Sequence, residues 1–468
     1  MRETVYRITQ LCGVCVLHAR RLIVCVVAAW QLAASAGHVA WAANAPKRPN
    51  VLFLLTDDQR ADTIGALGNS VVQTPNLDQL ARSGFVFENA YCMGSTMGAV
   101  CNPSRHMLHS GMSLYRYDPK KRDGSFGDVM RKAGYVTYHL SKKGNTALEY
   151  HKAFNYSGYL QDHAERTSGH HGRTAANRAI AFLNDEWDRQ QPLFMYLGFA
   201  GPHDPRVAAP EWTEKYDRAT IPLPANFKPF HPIDNHWMTG RDEALAPWPR
   251  TPAIVRQHLH DYYACISSID HHIGRILQTL RELGEFENTI IVFSSDHGLA
   301  IGSHGLFGKQ NLYEHSMGSP LIFAGPRIPS GSSASFAYLF DIFPTVCELT
   351  QTEVPPGLDG RSLAKIIRGD QQSVRDTVFL AYEDGQRAVH SGDWKLIRYP
   401  QVNYSQLFNL REDPDELHNL ASEGQHQQKV EEMMALLASE QHAYDDTQQL
   451  TSSSPGTAHV EIEFFRQQ

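Results

Sequence analysis

Short apolar runs alternate with stretches of helical spacing along most of the chain. Val51–Leu55, Val136–Leu140, Leu193–Phe199 and Thr289–Phe293 are rich in β-branched and aromatic residues. Runs of that length and composition suit strands buried on both faces of a parallel sheet. Helices fit between them. Thr74-Pro75 has the form of a helix start, with Thr as cap and Pro in the first turn, leading into Asn76–Arg82. From Tyr262 to Leu283 the apolar positions Ile266, Ile269, Ile273, Ile276 and Leu280 repeat as one helix face, and Gly284 follows as a stop. This alternation predicts a doubly wound α/β domain.

The pattern changes in three places. Residues 204–252 are rich in Pro and Trp and lack periodicity, so long surface loops are expected there. After the turn at Pro355-Pro356-Gly357 come shorter strands at Val378–Ala381 and Trp394–Tyr399, then a helix over about 426–440. The expected organisation is a catalytic domain over 48–375, a smaller α+β unit over 376–445 and a polar tail over 446–468. The N-terminus reads differently again. Arg20-Arg21 precede an apolar run from Leu22 to Trp30, and small residues then lead to Ala40-Trp41-Ala42. That is the layout of a signal peptide over 1–42, with secretion or periplasmic export expected. An uncleaved anchor is the alternative, although the apolar run is short for a stable membrane span.

Composition narrows the class. The 468 residues are 42% hydrophobic and 20% charged, with a formal net charge of -7. These values suit a globular protein with a sizeable core and give no basic stripe for nucleic acid. Of the seven cysteines, 12, 15 and 25 fall in the presumed signal. Cys92, Cys101, Cys265 and Cys347 are left, and in an exported protein they could pair.

The candidate chemistry lies where strands end. Asp57-Asp58 follow the first run, Lys142-Lys143 the second, Gly201-Pro202-His203 the third and Asp296-His297 the fourth. An open parallel sheet binds ligands beyond the carboxyl ends of its strands, so these groups should converge. Asp57-Asp58 alone reads more readily as a loop or helix cap. With Asp296-His297 and basic residues nearby, a divalent cation site is the better reading. Carboxylates favour Ca²⁺ or Mg²⁺, whereas the imidazole leans toward Mn²⁺ or Zn²⁺. Cys101 stands just before a predicted helix that starts at Pro103 and ends at Gly111, where free N–H groups favour an anion.

Cys101-Asn102-Pro103-Ser104-Arg105, followed by Ser110-Gly111, resembles the sulfatase signature, in which Thr-Gly stands at the latter pair. Pro49-Asn50-Val51 to Asp57-Asp58, Thr74 to Asp78, Ser295 to Gly298 with Lys309, Tyr313-Glu314, Trp394 to Ile397 and Leu407 to Leu410 extend the likeness over roughly 48–422. The resemblance implies an alkaline-phosphatase-like fold: a mixed, mostly parallel sheet flanked by helices, with a smaller C-terminal α+β subdomain. It implies a sulfuric ester hydrolase that releases sulfate and an alcohol from a sulfated carbohydrate or small organic sulfate.

In such enzymes a formylglycine-generating enzyme oxidises the cysteine, and the aldehyde hydrate attacks sulfur. Carried over, Asp57, Asp58, Asp296 and His297, with the modified Cys101, hold a cation, usually Ca²⁺ rather than Mg²⁺ or Mn²⁺. Arg105 supports the nucleophile, Lys142 and Lys309 bind the sulfate, and His203 protonates the leaving oxygen. A metal and lysines are what an anionic ester requires before an oxygen nucleophile can approach.

One departure matters. Many relatives have Gly-Lys-x-His where this chain has Ser141-Lys142-Lys143-Gly144. Asn145, His139 or a rebuilt loop stand as replacements for the missing His. His170-His171 and His315 are further candidates near substrate, while His258, His260, His271 and His272 read as structural. Loops 145–175 and 204–252 are expected to set specificity. Two other readings use the same residues: a phosphoester or phosphonate hydrolase, and a sulfated-glycan binder whose cysteine is never matured.

Overall fold

The computed structural model describes residues 47–466, so the proposed signal over 1–42 and its three cysteines lie outside the described residues. Among the described residues, thirteen strands follow in chain order: β1 (Asn50–Asp57), β2 (Phe85–Tyr91), β3 (Gly94–Ser95), β4 (Val136–Lys142), β5 (Tyr156–Leu160), β6 (Leu193–Pro202), β7 (Thr289–Ser295), β8 (Leu321–Ala324), β9 (Gly331–Tyr338), β10 (Thr377–Tyr382), β11 (Gln386–Ser391), β12 (Trp394–Tyr399) and β13 (Tyr404–Asn409). Eight of them form one sheet in the order β5-β4-β6-β1-β7-β8-β2-β9. The pairs from β5 to β7 are parallel, β8 is antiparallel to both β7 and β2, and β2 is parallel to β9. The expected mixed, mostly parallel sheet is therefore present.

The apolar runs form central strands because both faces are covered. Along β1, Leu52 and Leu54 pack with Leu77, Phe182, Ile269, Ile273 and Ile276. Val51, Phe53 and Leu55 pack on the opposite face with Met107, Phe126, Tyr196 and Phe343. Alternate side chains of one strand thus enter two cores, and a continuous apolar run results. The long helix predicted from Tyr262 begins earlier, at Pro252, and runs to Glu282. Thr251 caps it, its side chain accepting from the Ile254 N–H at 3.3 Å. The Pro- and Trp-rich stretch before it is largely loop, with one short helix at Pro210–Thr213 and a single 3-10 turn at Glu243–Leu245.

The smaller sheet has the order β13-β12-β11-β10-β3. β10 to β13 form an antiparallel meander, and the Gln427–Ala443 helix packs on it. Its last strand, β3, belongs to the segment that leads into Cys101, and it pairs parallel to β10 through Gly94–Ala381 and Ser95–Tyr382. The C-terminal sheet therefore holds the approach to the candidate nucleophile. The last segment differs from the expected polar tail. Asp446 bonds buried Arg387 at 2.6 Å, and the Phe465 ring lies 4.1 Å from Trp248. Cys92, Cys101, Cys265 and Cys347 are all free and buried, so the disulfides the export reading allowed are not formed among them. No helix among the described residues is long and apolar enough to cross a membrane.

Gly94 is the tightest point of the joint between the sheets. Its φ is +112°, and a Cβ there would lie 1.9 Å from the Ala381 carbonyl oxygen. Gly94→Ala should therefore destabilise the protein by roughly 2 kcal/mol or more through backbone strain and a clash. Gly68 has a similar φ of +109° but open space around it. Gly68→Ala should cost only about 1 kcal/mol. Thermal unfolding of the two variants checks the contrast, and equal losses would show that the β3–β10 contact is not tight.

Candidate active site

The carboxyl ends of β1, β4, β6 and β7 meet the first turn of the Cys101–Ser110 helix. Cys101 is the first helical residue, two positions earlier than the Pro103 start expected from sequence, and Val100 precedes it as the cap. Residues four apart share a helix face. Arg105 consequently lies under Cys101, fully buried, with its guanidinium aimed at the strand ends. Its Nε donates to Asp296 Oδ2 at 3.0 Å, Nη1 donates to Ser141 Oγ at 2.9 Å, and Nη2 lies 3.6 Å from Asp57 Oδ2. Ser104 Oγ donates to the Asp296 carbonyl at 2.7 Å, which locks the helix onto the end of β7.

Asp58 leaves β1 in the left-handed region, with φ at +69°. Three bonds hold that turn: Asp58 N–H donates to Asp296 Oδ1 at 3.1 Å, Tyr262 O–H to the Asp58 carbonyl at 2.6 Å, and Gln59 N–H to Ser295 Oγ at 2.8 Å. A strained non-glycine residue held by several partners is a common feature of functional sites. The turn places Asp58 Oδ1 3.5 Å from Cys101 Sγ and 3.4 Å from His297 Nε2. His297 Nδ1 faces the Gly298 carbonyl at 2.8 Å, an acceptor only, so the ring carries its proton there. His297 Nε2 faces Cys101 Sγ, 3.1 Å away.

The cations complete the cluster. Lys309 Nζ donates to both oxygens of Asp58, at 2.8 and 2.9 Å, and lies 3.3 Å from Cys101 Sγ. Lys142 Nζ donates to Asp57 Oδ2 at 2.9 Å. Burial alone would raise the pKa of Asp57, but Lys142 and Arg105 hold it well below the usual carboxylate range. Asp58 is likewise lowered: burial opposes this, and His203 and Lys309 outweigh it. Burial pushes the Cys101 thiol up, Lys309 opposes the rise, and the three neighbouring aspartates add to it.

The residues fit a divalent cation. Asp57, Asp58, Cys101 and His203 offer ligand atoms within 4.8 Å of one another, and so do Cys101, Asp296 and His297. Asp57 Oδ1 is buried without a hydrogen-bond partner, which leaves a carboxylate oxygen free for an ion. Oxygen donors with one imidazole suit a hard or borderline dication.

His203 stands at the rim. Its Nε2 is 3.9 Å from Asp58 Oδ2, and its Nδ1 is 2.8 Å from the Asp204 carbonyl and 3.1 Å from the Asp204 carboxylate. Two arginines that sequence reasoning missed flank it. Arg166 Nη1 lies 2.8 Å from Nδ1, and Arg241 Nη2 lies 3.3 Å from Nε2. They come from the two loop regions expected to set specificity, but no local motif marks them. At the altered Lys142 loop, Asn145 Nδ2 reaches to 3.5 Å from Asp57 Oδ2. His139 does not reach the site. It is buried in β4, stacked on Tyr196 at 4.7 Å and packed against His151. His171 is buried against the Val207 carbonyl, His170 pairs with Glu211, and His315 lies in a separate cluster with His304.

The sulfatase family model matches residues 49–352, more than half of the chain, and a model described as the C-terminal part of N-sulphoglucosamine sulphohydrolase matches 302–443. The chain belongs to the sulfatase family and is a sulfuric ester hydrolase. It is 26% identical to an N-acetylglucosamine-6-O-sulfatase of Bacteroides thetaiotaomicron, over 86% of this chain and 87% of that protein. Among solved structures, one in complex with its substrate D-glucosamine-2-N,6-O-disulfate superposes with a TM-score of 0.72 at 24% identity, covering 86% of this chain and 99% of that one. A phosphonate monoester hydrolase from Silicibacter pomeroyi shares the fold with a TM-score of 0.70 at 20% identity, over 86% and 96% of the two chains.

Removing a carboxylate from the centre should release the cation. Asp57→Ala and Asp296→Ala are each expected to lower bound divalent metal, measured by elemental analysis of the purified protein. Each also takes a carboxylate from a buried cation, Lys142 in the first variant and Arg105 in the second, so a stability loss of about 3–5 kcal/mol should accompany the metal loss. Unchanged metal content in both variants would place the ion elsewhere.

Proposed function

We infer that this sulfatase hydrolyses a sulfate ester carried on a carbohydrate, using formylglycine formed from Cys101. The observation that carries the reading is the setting of Cys101: its Sγ is in contact with Lys309, His297 and Asp58 at the start of a helix. Formylglycine at this position would supply an oxygen nucleophile, and a dication, Ca²⁺ in this reading, would supply Lewis-acid charge neutralisation. Asp57, Asp58, Asp296 and His297 would hold the ion.

The chain's own residues do the rest. Lys309 and Lys142 meet the sulfate oxygens and offset the charge that builds as the ester bond lengthens. Arg105 is not free to move, because Asp296 and Ser141 fix it, so it holds the nucleophilic residue in register with Asp57 and Asp296. His203 presents Nε2 beside Asp58, while Asp204 orients the ring from the other side. That arrangement suits delivery of a proton to the departing alcohol oxygen. Asn145 follows the Gly144 that stands where many relatives carry a histidine, and its amide reaches to 3.5 Å from Asp57 Oδ2. Its amide donates a hydrogen bond but takes no proton, so it does not serve as a base.

A carbohydrate substrate is supported by the relative named for N-acetylglucosamine 6-O-sulfate and by the match to the N-sulphoglucosamine sulphohydrolase C-terminal model. Arg166 and Arg241 support a sugar that carries a second anionic group next to the scissile sulfate, since guanidinium forks match carboxylate and sulfate geometry. Maturation requires a formylglycine-generating enzyme, and export to the periplasm or beyond belongs to the same proposal.

Cys101→Ala should reduce kcat on an aryl sulfate by at least roughly a thousandfold, because the covalent step is removed. Sulfate release measured on the purified variant checks this, and near-native turnover would reject the nucleophile assignment. Arg166→Ala combined with Arg241→Ala should lower kcat/KM on a disulfated sugar about tenfold more than on an aryl sulfate. Equal losses on the two substrates would show that the arginines do not read a second anion.

A further inference from the structure

The segment that carries Lys309 is bracketed by His304 and His315, and neither belongs to the cluster around Cys101. With Glu416 they form a second buried group whose ligand-capable atoms all lie within 4.8 Å of one another. We propose that His304, His315 and Glu416 form a second metal site, suited to Zn²⁺, that ties the two ends of the Lys309 segment to the turn around Glu416.

Three features point to a ligand. First, His315 is 8% exposed, and both of its ring nitrogens lack a hydrogen-bond partner. His304 is 2% exposed, and its Nε2 also lacks one. Buried polar nitrogens are rarely left unpaired, because each costs about 1–3 kcal/mol. Packing does not satisfy them. The His304 ring stacks on Tyr313 with centroids 4.0 Å apart and planes 10° from parallel, and stacking uses ring faces while leaving the in-plane lone pairs free.

Second, Glu416 is a carboxylate with surplus negative charge around it. Lys395 lies 2.8 Å from Glu416 Oε1 and 2.7 Å from Glu314 Oε1, so a single ammonium serves two buried carboxylates. A carboxylate has lone pairs enough to accept from Lys395 and from the Glu314 N–H while also binding an ion. A dication there would neutralise the remaining charge. Two imidazoles, one carboxylate and a water make a common zinc set, and borderline nitrogen donors favour Zn²⁺ over Ca²⁺.

Third, the site has an approach and a held geometry. A cavity of about 220 Å³ is lined by Tyr91, Asn226, Glu314, His315, Asp415 and Glu416. His304 and Glu416 are both non-glycine residues with left-handed backbone, at φ of +53° and +54°. His304 is pinned there because its N–H donates to the Asn226 carbonyl at 2.8 Å and its carbonyl accepts from His231 at 3.0 Å. The consequence would be positional. His304 and His315 lie on either side of Lys309, so an ion joining them to Glu416 would fix the path of the segment that delivers the Lys309 ammonium to Asp58.

The test uses the full chain stripped with a chelator, saturated with Ca²⁺ and then titrated with Zn²⁺, and separately with Co²⁺ as a spectroscopic substitute. The expected result is one tightly bound Zn²⁺ that excess Ca²⁺ does not displace, with visible Co²⁺ ligand-field bands. His315→Gln and Glu416→Gln should each weaken that binding at least tenfold and remove the bands. Asp296→Ala, which disturbs only the Cys101 cluster, should leave them. Absence of Ca²⁺-resistant Zn²⁺ binding in the wild type would overturn the proposal. So would wild-type Zn²⁺ affinity in a folded His315→Gln or Glu416→Gln variant. The wild-type titration decides even if a variant does not fold.

Discussion

Asp57, Asp58 and Asp296 sit at the ends of two neighbouring strands, out of water, and would repel one another without cations among them. Arg105, Lys142 and Lys309 supply the opposing charge, each from a different element. Much of the architecture can be understood as the means of bringing these six groups together. The parallel register of β1 and β7 brings Asp57 and Asp296 to one edge. The Cys101–Ser110 helix drives Arg105 beneath them, β4 ends on Lys142, and the segment after β7 returns Lys309 to Asp58. A buried charge without its partner costs several kcal/mol, so the cluster forms as a unit or not at all.

That balance also explains what an anionic substrate meets. The overall charge of -7 gives no general attraction for a sulfate ester. Attraction has to be local, and the lysines pointing into the strand-end cleft provide it, with Arg166 and Arg241 at the mouth. The small C-terminal sheet takes part indirectly. By adding β3 as its edge strand, it fixes the segment that enters Cys101. The catalytic cleft and the C-terminal unit are therefore mechanically joined rather than appended.

The sequence made the central sheet legible because its strands are apolar on both faces and end in clustered polar residues. Asp57, Asp58, Asp296 and His297 could be grouped from that rule alone, and the structure brings them together around Cys101. The helix carrying Cys101 begins two residues before its proline, since Pro103 is tolerated anywhere in the first turn, where no intrahelical donor is needed. Other features were not legible. Arg166, on the short helix Asp162–Thr167, and Arg241, in a turn, reach His203 from segments too short to leave a periodic signature. The polar composition of the last segment hid its anchors, Asp446 on Arg387 and Phe465 on Trp248, because a tail with few apolar residues can still dock through one ring and one ion pair. The pairing of His304 with Glu416 depends on a contact between residues far apart in the chain.

That Cys101 acts only after conversion to formylglycine is a proposal, supported by its place among Asp58, His297 and Lys309. It is tested most directly by mass spectrometry of the Cys101-containing peptide from active enzyme isolated from a host with a formylglycine-generating enzyme. The expected peptide carries an aldehyde in place of the thiol, in a fraction that rises and falls with specific activity across preparations. Full activity in a preparation whose peptide carries only unmodified cysteine would contradict it.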